Sequence, residues 1–138
     1  MSAYKVHEVK ISEEEDIIAG LIEMGFLRSE IEVHQTAQPL LGFRNDIRQN
    51  KANIIVRRSN VNKRMSGSAS NDIGFEKSGD TYKSHVSDYD QSWWKRKEPV
   101  FKQGAAVSKV TRNAKRKGYR VKKEQNDKKI RLRLIKNR

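Results

Sequence analysis

Positive charge is concentrated at the C-terminal end of the chain, and this limits what that part of the chain can bury. Residues 95–138 contain 18 Lys+Arg and 3 Asp+Glu, whereas residues 1–94 contain 12 Lys+Arg and 14 Asp+Glu. Unpaired charged side chains are strongly disfavoured away from water. Each helix or strand in the last third of the chain can therefore bury only one face.

The apolar residues of this segment follow regular periods, which predicts that it is folded. From about Gln103 to Lys117, apolar residues recur every three or four positions, as in an amphipathic helix. A second face of that helix collects cations at offsets of 7, 10 and 14 residues, namely Lys102, Lys109, Arg112 and Arg116. On either side of Asn126–Asp127, apolar and polar residues instead alternate with a period of two, which predicts a terminal β-hairpin. A disordered basic tail has no reason to keep these periods.

The rest of the chain predicts an α+β fold. Strands are expected at Tyr4–Ile11, around Ile31–Val33, over residues 52–59, and as a hairpin around Ser78–Gly79–Asp80. An amphipathic helix is expected before Gly25. We expect a single domain over residues 1–138, with an antiparallel sheet of about five to seven strands and two helices on one face. The predicted core comprises Ile17, Ile18, Leu21, Ile22, Val107, Val110 and Ala114 packed against Ile54, Val56, Ile73, Phe75, Val121, Ile130, Leu132 and Leu134.

Two segments are expected to lack regular structure. Residues near 59–71 are small and polar without periodicity, which predicts a mobile loop. Residues 91–104 contain Pro99, which predicts a connector rather than a helix, with the helical pattern beginning at about Gln103. The strongly basic helix and hairpin then lie within residues 95–138.

Composition argues against several classes of protein. The chain has no cysteine, so disulfides and thiolate metal sites are excluded. The three histidines are far apart in the sequence, and no metal or cofactor is expected. Neither a nucleophile motif nor a phosphate-binding glycine loop is present, so we do not expect an enzyme. Since no signal peptide or membrane-length apolar run is seen, the expectation is a cytoplasmic protein without a membrane partner.

Several short motifs together resemble one family. These are Asp72–Ile73–Gly74–Phe75, Gly79, Tyr82, the pair Trp93–Trp94, and a helix ending in Lys-Arg-Lys-Gly before a terminal hairpin. They resemble the hypothetical chloroplast reading frame thirty-five family, also called domain of unknown function twelve fifty-seven. The resemblance implies this order of elements, and members in plastids, bacteria and phages. In bacteria such genes often lie beside a gene for a ring-type ATPase. The resemblance implies no catalytic activity.

The function that the sequence predicts is non-catalytic binding of nucleic acid or of a ribonucleoprotein, with low sequence specificity. A basic block in one third of a chain is typical of phosphate contact. RNA is favoured over DNA, because no motif that reads the DNA major groove is present. The predicted contact residues are Lys95, Arg96, Lys97, Lys102, Lys109, Arg112, Lys115, Arg116, Arg120, Lys122, Arg131 and Arg133.

Trp93 and Trp94 are candidates for stacking on unpaired bases, because cations follow them directly. Two alternatives remain open for the basic segment as a whole. It is either a solvated face that maintains solubility, or the docking surface of an adaptor for an acidic protein, such as a ring ATPase or a host factor. No small-molecule substrate is expected.

Overall fold

The protein contains seven β-strands and three α-helices within the described residues, 3–126 and 129–136 of a computed structural model. The strands are β1 (Tyr4–Val9), β2 (Ile31–Leu41), β3 (Ile47–Val56), β4 (Ile73–Ser78), β5 (Thr81–Ser87), β6 (Tyr119–Asn126) and β7 (Lys129–Lys136). The helices are α1 (Glu14–Met24), α2 (Arg58–Met65) and α3 (Gln91–Arg116), and short 3-10 turns precede β2 and α3.

Five strands form one antiparallel sheet in the order β1-β5-β4-β3-β2. Helices α1 and α3 cover one face of this sheet, while β6 and β7 form a separate two-stranded sheet. The predicted α+β fold is confirmed, and the predicted order of elements is correct except that α2 was not foreseen. Within the described part of the chain, no helix is both long and apolar enough to cross a membrane.

The main core lies between the sheet and the two helices. Of the predicted core, Ile17, Leu21, Ile54, Val56, Ile73 and Phe75 are fully buried. The sequence did not single out the largest contributors, which include Phe26, Trp93, Trp94 and Phe101. Ile22, predicted to be buried, is 45% exposed because it lies on the side of α1 that faces away from the sheet.

The opposite face of the sheet carries a smaller cluster under the far half of the β2–β3 hairpin. This cluster contains Leu40, Ala52 and Ile55, with Tyr4 packed against it. The hairpin reaches this face because β2 is longer than predicted and irregularly paired with β3 between Val33 and Leu41. Such irregularities bend a strand and increase its twist.

Asp72 fastens the β2–β3 hairpin and α2 to the start of β4. Its buried carboxylate accepts hydrogen bonds from the backbone N–H groups of Leu41 and Arg58, both at 2.7 Å. It also accepts one from the Arg57 guanidinium at 2.8 Å, and that guanidinium in turn binds Glu32. The first residue of the Asp72–Ile73–Gly74–Phe75 motif therefore has a structural role.

The prediction of an irregular loop near residues 59–71 is wrong for its first half. Residues 58–65 form α2, which buries Val61 in the main core. The Arg64 guanidinium forms two hydrogen bonds with Glu30, of 3.0 and 2.9 Å. A helix this short gains most of its stability from such tertiary contacts, and a periodicity test on the sequence cannot detect them.

The prediction of a connector around Pro99 is also wrong. Helix α3 runs without a break from Gln91 to Arg116 and contains Pro99. An interior proline costs about 3 kcal/mol in a helix. Each large aromatic side chain buries about 150–250 Å², which at about 25 cal/mol per Å² stabilises the fold by about 4–6 kcal/mol. Trp94 and Phe101, on either side of Pro99, therefore outweigh its cost.

The terminal hairpin lies outside the main core. Val121, Ile130 and Leu132 are only partly buried, and Leu134 is 52% exposed. On α3, Ala114 is buried, whereas Val107 is half-buried and Val110 is exposed. The prediction that the terminal strands belong to the same sheet as the others is wrong, because among the described residues β6 and β7 pair only with each other. Part of the predicted turn, Asp127, lies outside the described residues.

Gly74→Ala should destabilise the fold by about 1–3 kcal/mol through overpacking. A Cβ at this position would lie 2.4 Å from the Ala52 Cβ and 3.0 Å from a Leu40 methyl carbon. The free energy of unfolding in denaturant measures the effect, and adding Ala52→Gly should restore part of the loss. An unchanged stability in Gly74→Ala would contradict this close packing.

Candidate nucleic-acid interface

Four cations at seven-residue intervals lie on the exposed side of α3. All four are exposed, and we call them the cation row: Lys95, Lys102, Lys109 and Arg116. Seven residues make nearly two helical turns, so the four side chains share a face and follow one another at about 10.5 Å along the axis. The row spans about 31 Å.

The row is longer than the sequence predicted, because the helix begins earlier. With Gln103 as the expected start, Lys95 would lie in a connector and have no fixed position relative to Lys109. The continuous helix places Lys95 two turns before Lys102. Arg96, Lys97 and Lys115 are also exposed, but their positions around the helix lie away from the row.

Arg112 does not belong to the exposed interface, which corrects the sequence prediction. Its guanidinium forms two hydrogen bonds with the buried Asp16, of 2.6 and 3.0 Å, and one with Glu15 at 2.9 Å. Asp16 thereby raises the pKa of Arg112 above its ordinary value. The side chain joins α3 to α1, and its charge is neutralised inside the protein.

Trp93 and Trp94 cannot stack on bases, because both are buried. The Trp93 indole donates a 2.7 Å hydrogen bond to the carboxylate of Asp90. The Trp94 ring lies 5.5 Å from that of Phe101 and 6.0 Å from that of Phe75. The sequence predicted a connector at this position rather than a helix. In a helix that packs under both a sheet and a turn, two adjacent side chains are buried together.

A second group of cations lies on one side of the terminal hairpin, which we call the hairpin face. In the register of β6 and β7, Lys122 is directly opposite Arg133 and Arg120 is opposite Ile135. Arg131 is opposite Glu124, so all six residues share this side. The predicted cations of both strands, Arg120, Lys122, Arg131 and Arg133, are all exposed.

Glu124 relieves part of the repulsion on the hairpin face. It pairs in register with Arg131 and lies 3.7 Å from the Arg133 guanidinium. Among the described residues, the Glu124 carboxylate is at salt-bridge distance from Arg133 alone, while Lys122 stands directly opposite a like charge, Arg133. A like-charged pair across strands is destabilising by up to about 1 kcal/mol.

The other side of the hairpin faces the two helices. Lys123, on that side, reaches Glu23 of α1 at 3.4 Å, and β6 runs beside α3. This contact turns the hairpin face away from α1 and α3. The cations of β6 and β7 are therefore presented to solvent, next to the end of the cation row at Arg116.

A groove that was not predicted from the sequence lies between β1 and α3. Its volume is about 570 Å³. One wall is formed by residues 7–12, and the other by residues of α3 at helical spacing: Glu98, Phe101, Lys102, Ala105, Ala106 and Lys109. Strand β1 and helix α3 are about 90 residues apart in sequence. No local pattern could therefore have shown that they are neighbours.

Two buried polar side chains, His85 and Asp90, are hydrogen-bonded within the fold. His85 is buried, which lowers its pKa, and its ring contacts Glu76 and Asn50 at 3.0 Å each. Asp90 is buried and bound to Trp93, Ser87 and the Asn71 backbone. In the part of the chain that the structure describes, no cluster of three or more His, Asp or Glu side chains could hold a metal ion.

Arg112→Met should lower the free energy of unfolding by on the order of 3 kcal/mol, because it leaves the buried Asp16 carboxylate without its cation. The matched control is Lys109→Met, one turn away and exposed, which should change stability by less than about 0.5 kcal/mol. Thermal or denaturant unfolding measures both. Equal effects of the two substitutions would show that Arg112 is an ordinary surface cation.

Comparison with known proteins identifies the family and nothing beyond it. No curated protein and no solved structure matches the chain. One family matches residues 27–135, which cover β2 to β7 and include the motifs from Asp72 to the terminal hairpin. Its description is "Protein of unknown function (DUF1257)". The chain belongs to this family of proteins of unknown function.

Proposed function

We propose that the protein binds nucleic acid, alone or within a ribonucleoprotein, through the cation row and the hairpin face, without catalysis. The observation that carries the proposal is the arrangement of exposed cations on these two neighbouring surfaces. Of the cation row, only Lys102 has a described acidic partner, Glu98 at 3.8 Å. The remaining charge is available to a ligand.

The length of the row suits a phosphate backbone. The row spans about 31 Å, which is about the length of nine base pairs of duplex. Because each strand winds around the axis once in about 10 base pairs, a straight row of this length meets phosphates of both strands. A regular row of this kind matches a regular polyanion better than it matches a single acidic side chain.

The interface offers phosphate contacts and little for reading bases. The two tryptophans are buried, and the exposed side chains of the cation row are lysines and an arginine. Contacts to phosphates position a protein without reading sequence. Low sequence specificity follows. RNA remains the favoured ligand, because no α-helix of a known DNA-reading motif is present.

Affinity should depend strongly on salt and on the ends of the cation row. If about six phosphates are engaged, affinity for random RNA should fall about a thousandfold between 50 and 200 mM salt. Lys95→Gln with Arg116→Gln should lower the slope of log K against log salt by about two. Lys63→Gln with Lys83→Gln, exposed cations elsewhere on the protein, is the matched control and should leave the slope unchanged.

Filter binding with random RNA and with duplex DNA across the salt series gives these slopes. Absence of binding to either ligand at 50 mM salt, with the protein folded, would refute the proposal. An equal decrease in slope for both double variants would show non-specific attraction by the net charge of +13.

The Lys122→Glu variant distinguishes a hairpin face that binds nucleic acid from one that is only solvated. The new carboxylate would lie opposite Arg133, so the hairpin should become more stable by a few tenths to about 1 kcal/mol. Affinity for RNA should nevertheless fall, because one phosphate contact is lost and a negative charge is added. Unfolding experiments and filter binding on the same preparation give both values. Unchanged affinity would mean that the hairpin face is not part of the interface.

A further inference from the structure

The outer edge of β1 is open. Strand β1 is the first strand of the five-stranded sheet, and among residues 3–126 and 129–136 it pairs only with β5. The Asp88 N–H donates to the Ala3 carbonyl at 2.8 Å, so residues 3 and 88 form a hydrogen-bonded pair. Such pairs alternate along an antiparallel ladder. The N–H and C=O groups of Lys5, His7 and Val9 thus face β5, and those of Val6 and Glu8 face the open edge.

This edge forms one wall of the β1–α3 groove. The His7 side chain is on the same side of β1 as Val9, toward the helices, whereas Glu8 points to the opposite side of the sheet and contacts Thr81 at 3.4 Å. Glu8 nevertheless borders the groove. Because its side chain points away, the part of Glu8 that borders the groove is its backbone, with the N–H and C=O groups that face the open edge.

The groove has the length of a short extended peptide. Strand β1 ends at Val9, so residues 7–9 of the β1 wall are strand edge and residues 10–12 continue that wall without strand structure. The α3 wall from Glu98 to Lys109 spans about 16 Å as helix. The volume of about 570 Å³ is typical of ligand sites. The end of a strand edge and a facing helix accommodate a short extended peptide beside β1.

The interior of the groove is apolar and leaves room for side chains. Val9 and Phe101 form its floor, with Ile11 at one end. On the helix side, the small side chains of Ala105 and Ala106 leave space in the groove. A strand added to β1 would direct alternate side chains toward α3, where these alanines and Phe101 would contact them.

The charges of the groove favour an acidic occupant. Asp16 is neutralised by Arg112, and Glu98 lies 3.8 Å from Lys102. Lys10 and Lys109 also line the groove, and neither has a carboxylate at salt-bridge distance among the described residues. An acidic side chain of the occupant would be placed between them.

We propose that the β1–α3 groove binds an extended acidic segment of a partner protein, which adds to the sheet as a sixth strand beside β1. Main-chain hydrogen bonds to Val6 and Glu8 would provide affinity, and the apolar floor and Lys109 would select side chains. This inference does not depend on the proposed nucleic-acid binding. Its main-chain contacts are to β1, whereas Lys102 and Lys109 of the cation row also line the α3 wall of the groove.

The test begins with selection from a random heptapeptide library displayed on phage, using the full chain as the target. The enriched peptides should contain Asp or Glu among β-branched or aromatic residues. A synthetic copy, labelled with fluorescein, is then titrated with each protein variant. A copy that is N-methylated at alternate residues keeps the charge but cannot pair with a strand edge, and it should not bind.

Glu8→Pro is the decisive variant, because it removes an N–H that faces the open edge and leaves the hydrogen bonds to β5 in place. It should weaken peptide binding about tenfold or more. Glu8→Ala, the matched control, loses the same side chain but keeps the N–H, and should bind within about twofold of the original protein. Lys109→Glu should also weaken binding. Affinity of Glu8→Pro for RNA should be unchanged.

A measurement on the unaltered protein covers the case in which Glu8→Pro fails to fold. Exchange of the Glu8 amide hydrogen should slow at least about tenfold when the selected peptide binds. Failure to enrich any peptide, equal binding to the N-methylated copy, or unchanged exchange at Glu8 would each overturn the proposal. It would also be overturned if the protein formed a dimer that Glu8→Pro dissociates, because a second copy would then occupy the edge.

Discussion

The aromatic contact between α3 and the sheet is the interaction on which the rest of the structure depends. Phe101 stacks on Phe75 at 5.2 Å, and Trp94 lies against both rings. These contacts keep the helix continuous through Pro99. The continuous helix then brings Lys95 into register with the other exposed cations of α3 and forms one wall of the groove beside β1. Without this contact the same residues would be a connector and a shorter helix.

The basic residues separate into two groups with different physical roles. Arg57, Arg64 and Arg112 form close ion pairs with Glu32, Glu30 and Asp16, and they hold separate elements together. The lysines and arginines of the cation row and the hairpin face are exposed, and most of them have no described carboxylate nearby. Exposed pairs contribute little to stability. The exposed cations therefore contribute little to holding the elements together.

The packing of α1 against α3 requires small residues that no periodicity reveals. A Cβ on Gly104 would lie 2.7 Å from the Glu23 Cβ, and one on Gly20 would lie 2.6 Å from the Phe101 ring. The two helices approach closely enough for Arg112 to reach Asp16. A glycine in a helical sequence counts against the helix by about 1 kcal/mol. The close helix packing that the glycine allows can be recognised only when the facing helix is known.

The sequence by itself determined the class of fold, the order of most elements, the buried faces of α1, β3 and β4, and the alternation of the terminal hairpin, because local periods encode these features. Only the tertiary structure determined that α3 continues through Pro99 and that both tryptophans are buried. It also determined that Arg112 pairs with Asp16 instead of lying on the exposed surface, and that the hairpin is separate from the main sheet. It also decided that β1 and α3 enclose a groove. Each of these depends on residues far apart in the chain, whose contact energies outweigh local preference and leave no period in the sequence.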